Sequence, residues 1–316
     1  MKIAVLDWYT VNISGDISTV PLEELGEVKI IPLTSPEQTA ENIGDAEIVL
    51  CNKVMITRDV LDRCSNIKYI GLFATGYNNI DIQYATEKGI TVCNAGSYST
   101  NAVAQQTFAY ILDWSNRIRD YDTAVKNGEW EKFPSFSYFP IPMTELTGKT
   151  LAIVGYGSIG KKVAEIATAF GMNVVISTRT QPVGCPYEVT DMISAVEKAD
   201  FITFHCPLTD KTRGIINAEL LSHMKKSAVL INTSRGGVVV EKDLAEALIN
   251  KSIAGAYLDV LEKEPMSPDT PLKNVPNCVI TPHTSWASLE TRSRLVNIVC
   301  DNIRNWLNGT PTNKVN

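Results

Sequence analysis

The sequence predicts an α/β protein of two Rossmann-like, doubly wound parallel-sheet domains, the first of them discontinuous, and three observations carry that expectation. Short, continuously apolar runs rich in β-branched residues alternate with helical patterns along all 316 residues. Strands of that kind are buried on both faces, which means a parallel sheet covered by helices. The runs fall into two series separated by a long helical stretch, and 44% apolar residues suffice for a core in each half.

The first series is "KIAVLD" at 2–7, "EIVLC" at 47–51, "IKYIGLF" at 67–73 and "ITVCNA" at 90–95. "STNAVAQQTFAYILDWSNRIRDYDTAVKNGEW" follows and reads as one long amphipathic helix, with apolar residues at Val103, Phe108, Ile111, Leu112 and Ile118. Gly128 and the Pro-rich "FPSFSYFPIPM" end it. The aromatics Phe133, Phe136, Tyr138 and Phe139 either line the substrate cleft or pack under the linking helix, and packing as core is the default expectation. The second series is "TLAIVGYG" at 150–157, "NVVIST" at 173–178, "FITFH" at 201–205, "AVLINTS" at 228–234, "AGAYLDV" at 254–260 and "CVITP" at 278–282. A final amphipathic helix, "SLETRSRLVNIVCDNIRNWLNG", has no strand after it and is expected to pack back on the first domain. The expected boundaries are therefore 1–100 with 288–316 for a substrate domain, and 101–287 for a dinucleotide-binding domain.

A net charge of -6, with acids and bases interspersed, leaves no basic face for a phosphate backbone, so nucleic acid is not an expected partner. Asp7 interrupts the first apolar run, which reads as a strand and not a signal peptide, and no apolar run reaches spanning length, so no membrane is expected. Seven dispersed cysteines without a CxxC pair suggest buried thiols in a reducing cytoplasm and no metal site.

Chemistry concentrates in five stretches. "VGYGSIG" sets Gly155, Gly157 and Gly160 between a strand and a helix, where backbone N–H groups and the helix dipole hold a pyrophosphate. The next strand ends "ISTRT", so Thr178 stands where an NAD site carries an acid, with Arg179 beside it. Hydroxyls of Ser177, Thr178 and Thr180 with the Arg179 cation favour NADPH over NADH; the alternative is a solvated Arg179, or one stacked on adenine with NAD bound. "INTSRGG" places Arg235 at a strand tip, where a planar guanidinium suits a carboxylate. Glu264 in "EKEP" and His283 in "ITPHTS" complete the group. Singly, Glu264 reads as a solvated loop carboxylate and His283 as a strand-end residue bonded to backbone. Together they fit reduction of a 2-oxo acid: Arg235 binds the carboxylate and polarises the carbonyl, His283 donates the proton, and Glu264 favours the imidazolium.

"VGYGSIG", "HCPLTDKTRGIINAELLSHMKKSAVLINTSRGG", "GAYLDVLEKEP" and "NCVITPHTSWAS" closely resemble the D-isomer-specific 2-hydroxyacid dehydrogenases over nearly the whole chain. "FATGYNNID", "AVAQQTFAYIL" and "FSYFPIPMTELTGKT" resemble the hydroxypyruvate reductase (glycerate dehydrogenase) branch. The resemblance implies Arg235, Glu264 and His283 as the catalytic set, and Asp259 at the nicotinamide amide. It implies Ser158, Ile159, Cys206, Pro207 and Thr233 among the cofactor contacts, and backbone N–H groups at Thr75, Gly76 and Tyr77 receiving the substrate carboxylate. It also implies NADP or NAD as cofactor and a homodimer formed through the linking-helix region. Gln106 departs from the histidine often found there, and Thr178 from the usual acid. His205 reads as structural, near the cofactor at most, and His223 as a helix-surface residue. Two other readings stay open: a D-lactate or bulkier D-2-hydroxyacid dehydrogenase, and a nucleotide-sensing protein like the carboxy-terminal binding protein co-repressors.

Overall fold

The computed structural model describes residues 1–316. The chain divides into two compact units, Met1–Ser99 with Trp286–Asn316, and Thr100–Ser285. Each unit is built on one all-parallel sheet.

The first unit has five strands: β1 (Lys2–Val5), β2 (Glu27–Ile30), β3 (Ile48–Cys51), β4 (Tyr69–Leu72) and β5 (Thr91–Cys93), in the order β2-β1-β3-β4-β5. β3 and β4 are buried at every residue, as parallel strands covered on both faces must be. The helix Leu289–Leu307 lies on one face, where Leu295, Val296, Val299 and Ile303 share a cluster with Val5, Leu50 and Tyr69. Burying aliphatic side chains of this size contributes roughly 1.5–3 kcal/mol each. β2 and Glu188–Thr190, an edge strand of the second unit's seven-stranded sheet, are absent from the sequence-based expectation. Both are edge strands with partly exposed, charged sequences, EVKI and EVT, so neither shows the continuous apolar signal of a central strand.

The second unit has seven strands: β6 (Thr150–Val154), β7 (Asn173–Ser177), β8 (Glu188–Thr190), β9 (Phe201–Phe204), β10 (Val229–Asn232), β11 (Gly255–Leu258) and β12 (Cys278–Ile280). Their order is β12-β11-β10-β9-β6-β7-β8. The reversal between β9 and β6 is the switch point at which such sheets open a crevice for ligands at their carboxyl ends.

Two expectations are corrected here. The single linking helix is two helices, Thr100–Asn116 and Ile118–Lys126, broken at Arg117, which takes a left-handed φ of 53°. An ion pair with Asp120 and a guanidinium placed over Trp114 hold Arg117 in that break, and Ile118 turns outward at 63% exposure. The aromatics after Gly128 are not core: Phe136 is 91% and Phe139 69% exposed, Phe133 is also exposed, and only Tyr138 is half-buried. No helix is long and apolar enough to cross a membrane. All seven cysteines are free thiols, four buried and Cys185, Cys206 and Cys278 half-buried.

Candidate active site

The glycine loop of the second unit has the geometry that an anion requires. Gly155 has φ +100°, and a Cβ there would meet the carbonyl oxygen of His205 at 2.7 Å. A Cβ on Gly160 would meet the carbonyl of Gly155 at 2.1 Å, so the helix Ser158–Ala169 can start this close to β6 only with glycine. Around Gly157, by contrast, nothing lies within 4 Å of an added Cβ, and no side chain caps the helix. Open space beside uncapped N–H groups at Ile159 and Gly160 fits a pyrophosphate.

At the end of β7, Ser177 is buried, and that burial removes it from the expected set of accessible hydroxyls; its carbonyl accepts from Gly155 N–H at 2.8 Å. Thr178 is half-buried, Arg179 and Thr180 are exposed, and Arg179 has no carboxylate partner. Cys206 is half-buried and Pro207 exposed at the end of β9. Between them and β10, the His205 ring lies 3.0 Å from the Thr203 hydroxyl and 3.5 Å from that of Thr233. Burial pushes His205 down to about 3, so it is a neutral hydrogen-bonding ring at physiological pH. His223 pairs with Glu197 on the surface at 2.9 Å.

The loop after β10 aims Arg235. Buried Asn232 accepts from the backbone and hydroxyl of Ser234 at 3.0 and 2.8 Å and donates to the carbonyl of Arg235 at 3.0 Å. An added Cβ on Gly236 would lie 1.8 Å from the carbonyl carbon of Leu261, so this loop abuts the chain just before Glu264. The Arg235 side chain is exposed, and its one intramolecular bond runs from Nη1 to the carbonyl of Ser234 at 2.7 Å.

His283 sits after β12 with φ +55°, a left-handed conformation uncommon outside glycine. Asp259, 1% exposed, holds it there. Its carboxylate accepts from Thr281 Oγ1 at 2.5 Å, Thr284 N–H at 2.8 Å and Ser285 N–H at 2.9 Å, while its carbonyl accepts from His283 N–H at 2.8 Å. The Tyr110 hydroxyl bonds Thr281 from the helix Thr100–Asn116. Strain at a functional residue persists only where neighbours over-determine it, and these bonds do so. The structure thus gives Asp259, expected at the nicotinamide amide, a further task as anchor of the histidine loop.

Glu264 completes the arrangement. Oε2 lies 2.8 Å from His283 Nδ1, and Oε1 accepts from Leu261 N–H at 3.1 Å. A carboxylate on Nδ1 fixes that nitrogen as the N–H donor and leaves Nε2 turned to a ligand. Arg235, Gly236, Gly237, Leu208, Glu264 and His283 line one depression of about 280 Å³. The three side chains expected to act together therefore meet at one concavity, within a single unit. Asn232 and Thr281 escaped sequence reasoning; the only sign of the first is a polar residue closing the buried run "VLIN".

In the first unit, Thr75, Gly76 and Tyr77 follow β4, and their N–H groups donate to no protein acceptor.

Residues 108–285 match the family described as D-isomer specific 2-hydroxyacid dehydrogenase, NAD binding domain. The chain is 40% identical to a hydroxypyruvate reductase of Blautia hydrogenotrophica, with all of both chains covered. It is similar to the solved structure of an acyclic imino acid reductase in complex with NADPH and D-Arg, at 30% identity and TM-score 0.88 over all of both chains. It is also similar to an NADPH-dependent glyoxylate/hydroxypyruvate reductase of Sinorhizobium meliloti in complex with NADP and malonate. There identity is 28% and TM-score 0.83, covering 99% of this chain and 96% of that one.

Proposed function

Because this chain belongs to the D-isomer-specific 2-hydroxyacid dehydrogenases, we propose that it reduces hydroxypyruvate or glyoxylate to D-glycerate or glycolate. The observation that carries the reading is the 2.8 Å contact between His283 and Glu264 at the depression that Arg235 lines. A bound nicotinamide supplies the hydride to the carbonyl carbon. Arg235 binds the substrate carboxylate and polarises the carbonyl, where its fork has no competing carboxylate. His283 Nε2 gives its proton to the carbonyl oxygen, and Glu264 holds the ring and offsets the imidazolium charge. In the reverse direction the same nitrogen takes the hydroxyl proton. The N–H groups of Thr75, Gly76 and Tyr77 receive a substrate carboxylate.

NADPH is the preferred cofactor in this reading. No carboxylate stands at Thr178 to repel a 2'-phosphate, and the exposed Arg179 is available to bind one. The Sinorhizobium reductase, bound to NADP, is a structural relative in keeping with that preference. The test is loss of reduced-nicotinamide absorbance on adding hydroxypyruvate, glyoxylate, pyruvate or a branched 2-oxo acid, with each cofactor. The expected kcat/KM is highest with NADPH and the two small substrates. Arg179→Ala lowers it about tenfold with NADPH and leaves NADH within about twofold, the size of one lost charge-assisted contact. Absence of turnover with every 2-oxo acid overturns the enzymatic reading in favour of the nucleotide-sensing one, and faster turnover of the bulky acids overturns the substrate.

Homodimerisation also belongs to this reading. Ile118, Trp130, Phe136, Phe139 and Met143 are large apolar residues left exposed along one segment of the second unit, and a second copy is the occupant that the family resemblance implies. Light scattering at twice the mass of one chain is the expected result, and a monomer at micromolar concentration refutes it.

A further inference from the structure

The loop at Thr75–Tyr77 is held from outside by a polar network that none of the roles above includes. Asn94, just past β5, donates from Nδ2 to the carbonyl of Thr75 at 2.7 Å and accepts from Gly96 N–H at 3.1 Å. The Thr75 hydroxyl donates to the carbonyl of Gly96 at 2.5 Å, and Ala95 N–H to the carbonyl of Ala74 at 2.9 Å. The loop is therefore pinned on its acceptor side, with its N–H groups left without protein partners.

Asn94 is itself fixed from two directions. Buried Asn302, on the helix Leu289–Leu307, donates to the Asn94 carbonyl at 2.8 Å. The Asn94 N–H donates to the carbonyl of Asn313 at 3.1 Å, and Asn313 Nδ2 returns to Asn302 Oδ1 at 2.9 Å. Residues 313–316 then continue along β5: Val315 N–H bonds the Val92 carbonyl, and Asn316 Oδ1 accepts from Val92 N–H, both at 2.9 Å. Asn313 also presses on the segment from the side, since a Cβ on Gly96 would meet its Oδ1 at 3.1 Å.

We propose that Asn94 is a positioning residue for the carboxylate-receiving loop, and that Asn302 and the 313–316 segment set its place. The proposal rests on the assignment of Thr75–Tyr77 to the substrate carboxylate. A carboxylate contact is made alike before and during hydride transfer, so loosening it raises KM and spares kcat. Asn94→Ala is expected to raise KM for the 2-oxo acid about tenfold, with kcat and the Kd for reduced cofactor within about twofold, the scale of one misplaced hydrogen-bonding group. Deletion of residues 313–316 is expected to raise KM in the same sense and decides the matter if Asn94→Ala fails to fold. Leu22→Ala, a cavity in the core of the same unit, serves as the stability control: it lowers Tm and leaves KM unchanged. Wild-type turnover with KM unchanged in the asparagine and deletion variants overturns this proposal alone, whereas no turnover in the wild-type protein overturns the reading beneath it.

Discussion

His283→Gln lowers kcat by about three orders of magnitude and leaves the Kd for reduced nicotinamide within about twofold, because positioned proton transfer is worth roughly 10²–10⁴ in rate. The substitution keeps the Cβ, so the strain at φ +55° is unchanged, and a glutamine amide can still donate to Glu264. What it removes is the transferable proton at the position of Nε2. Glu264→Gln is the graded companion: the amide oxygen still accepts from Nδ1, yet no negative charge offsets the imidazolium, so a smaller fall in kcat is expected. Stopped-flow loss of nicotinamide absorbance in a single turnover separates the chemical step from product release. A His283→Gln enzyme within tenfold of wild type removes the histidine from proton transfer and leaves its contact with Glu264 a structural one.

The parts of this site legible in the sequence are those that announce themselves by residue type at strand ends. Arg235, Glu264 and His283 each follow a strand of the second unit's sheet, and a guanidinium, carboxylate and imidazole near one sheet edge have few joint uses. What stayed hidden is how they are aimed. Asn232 bonds Ser234 and Arg235 within one turn, a pairing set by the loop's conformation and not by residue type. The fit of Gly236 against Leu261 and the N–H donors of Thr284 and Ser285 to Asp259 join residues 25 or 26 positions apart, which no local pattern encodes. The same divide separates the strands. Central β3, β4, β6, β9 and β10 are predominantly apolar and readable, whereas the edges β2 and β8 carry glutamates, and their pairing is settled by neighbours. Arg117 shows the limit for helices: its residue type suits a helix interior, and the break depends on Trp114 and Asp120. The exposed Phe136 and Phe139 show the limit for burial, since hydrophobicity alone predicts a core position where the fold leaves a surface.

Arg235→Lys lowers kcat/KM by about 10²–10³, and the loss falls on both kcat and KM. The loop around it is rigid: Asn232 bonds the Arg235 carbonyl, and Gly236 has no room to shift against Leu261. Lysine therefore enters an unchanged backbone with one ammonium in place of a planar fork. It retains charge for the carboxylate, which limits the rise in KM, and cannot also reach the carbonyl oxygen, whose developing charge governs kcat. Arg235→Ala separates the two further, because the cavity it leaves opens on the 280 Å³ depression and admits a small cation. Guanidinium added to Arg235→Ala is expected to restore part of kcat, while methylammonium at equal concentration restores less. Equal recovery with both cations means that charge alone suffices and the planar fork has no role; no loss of kcat/KM in either variant means that Arg235 does not touch the substrate, and the carboxylate must then be bound without it.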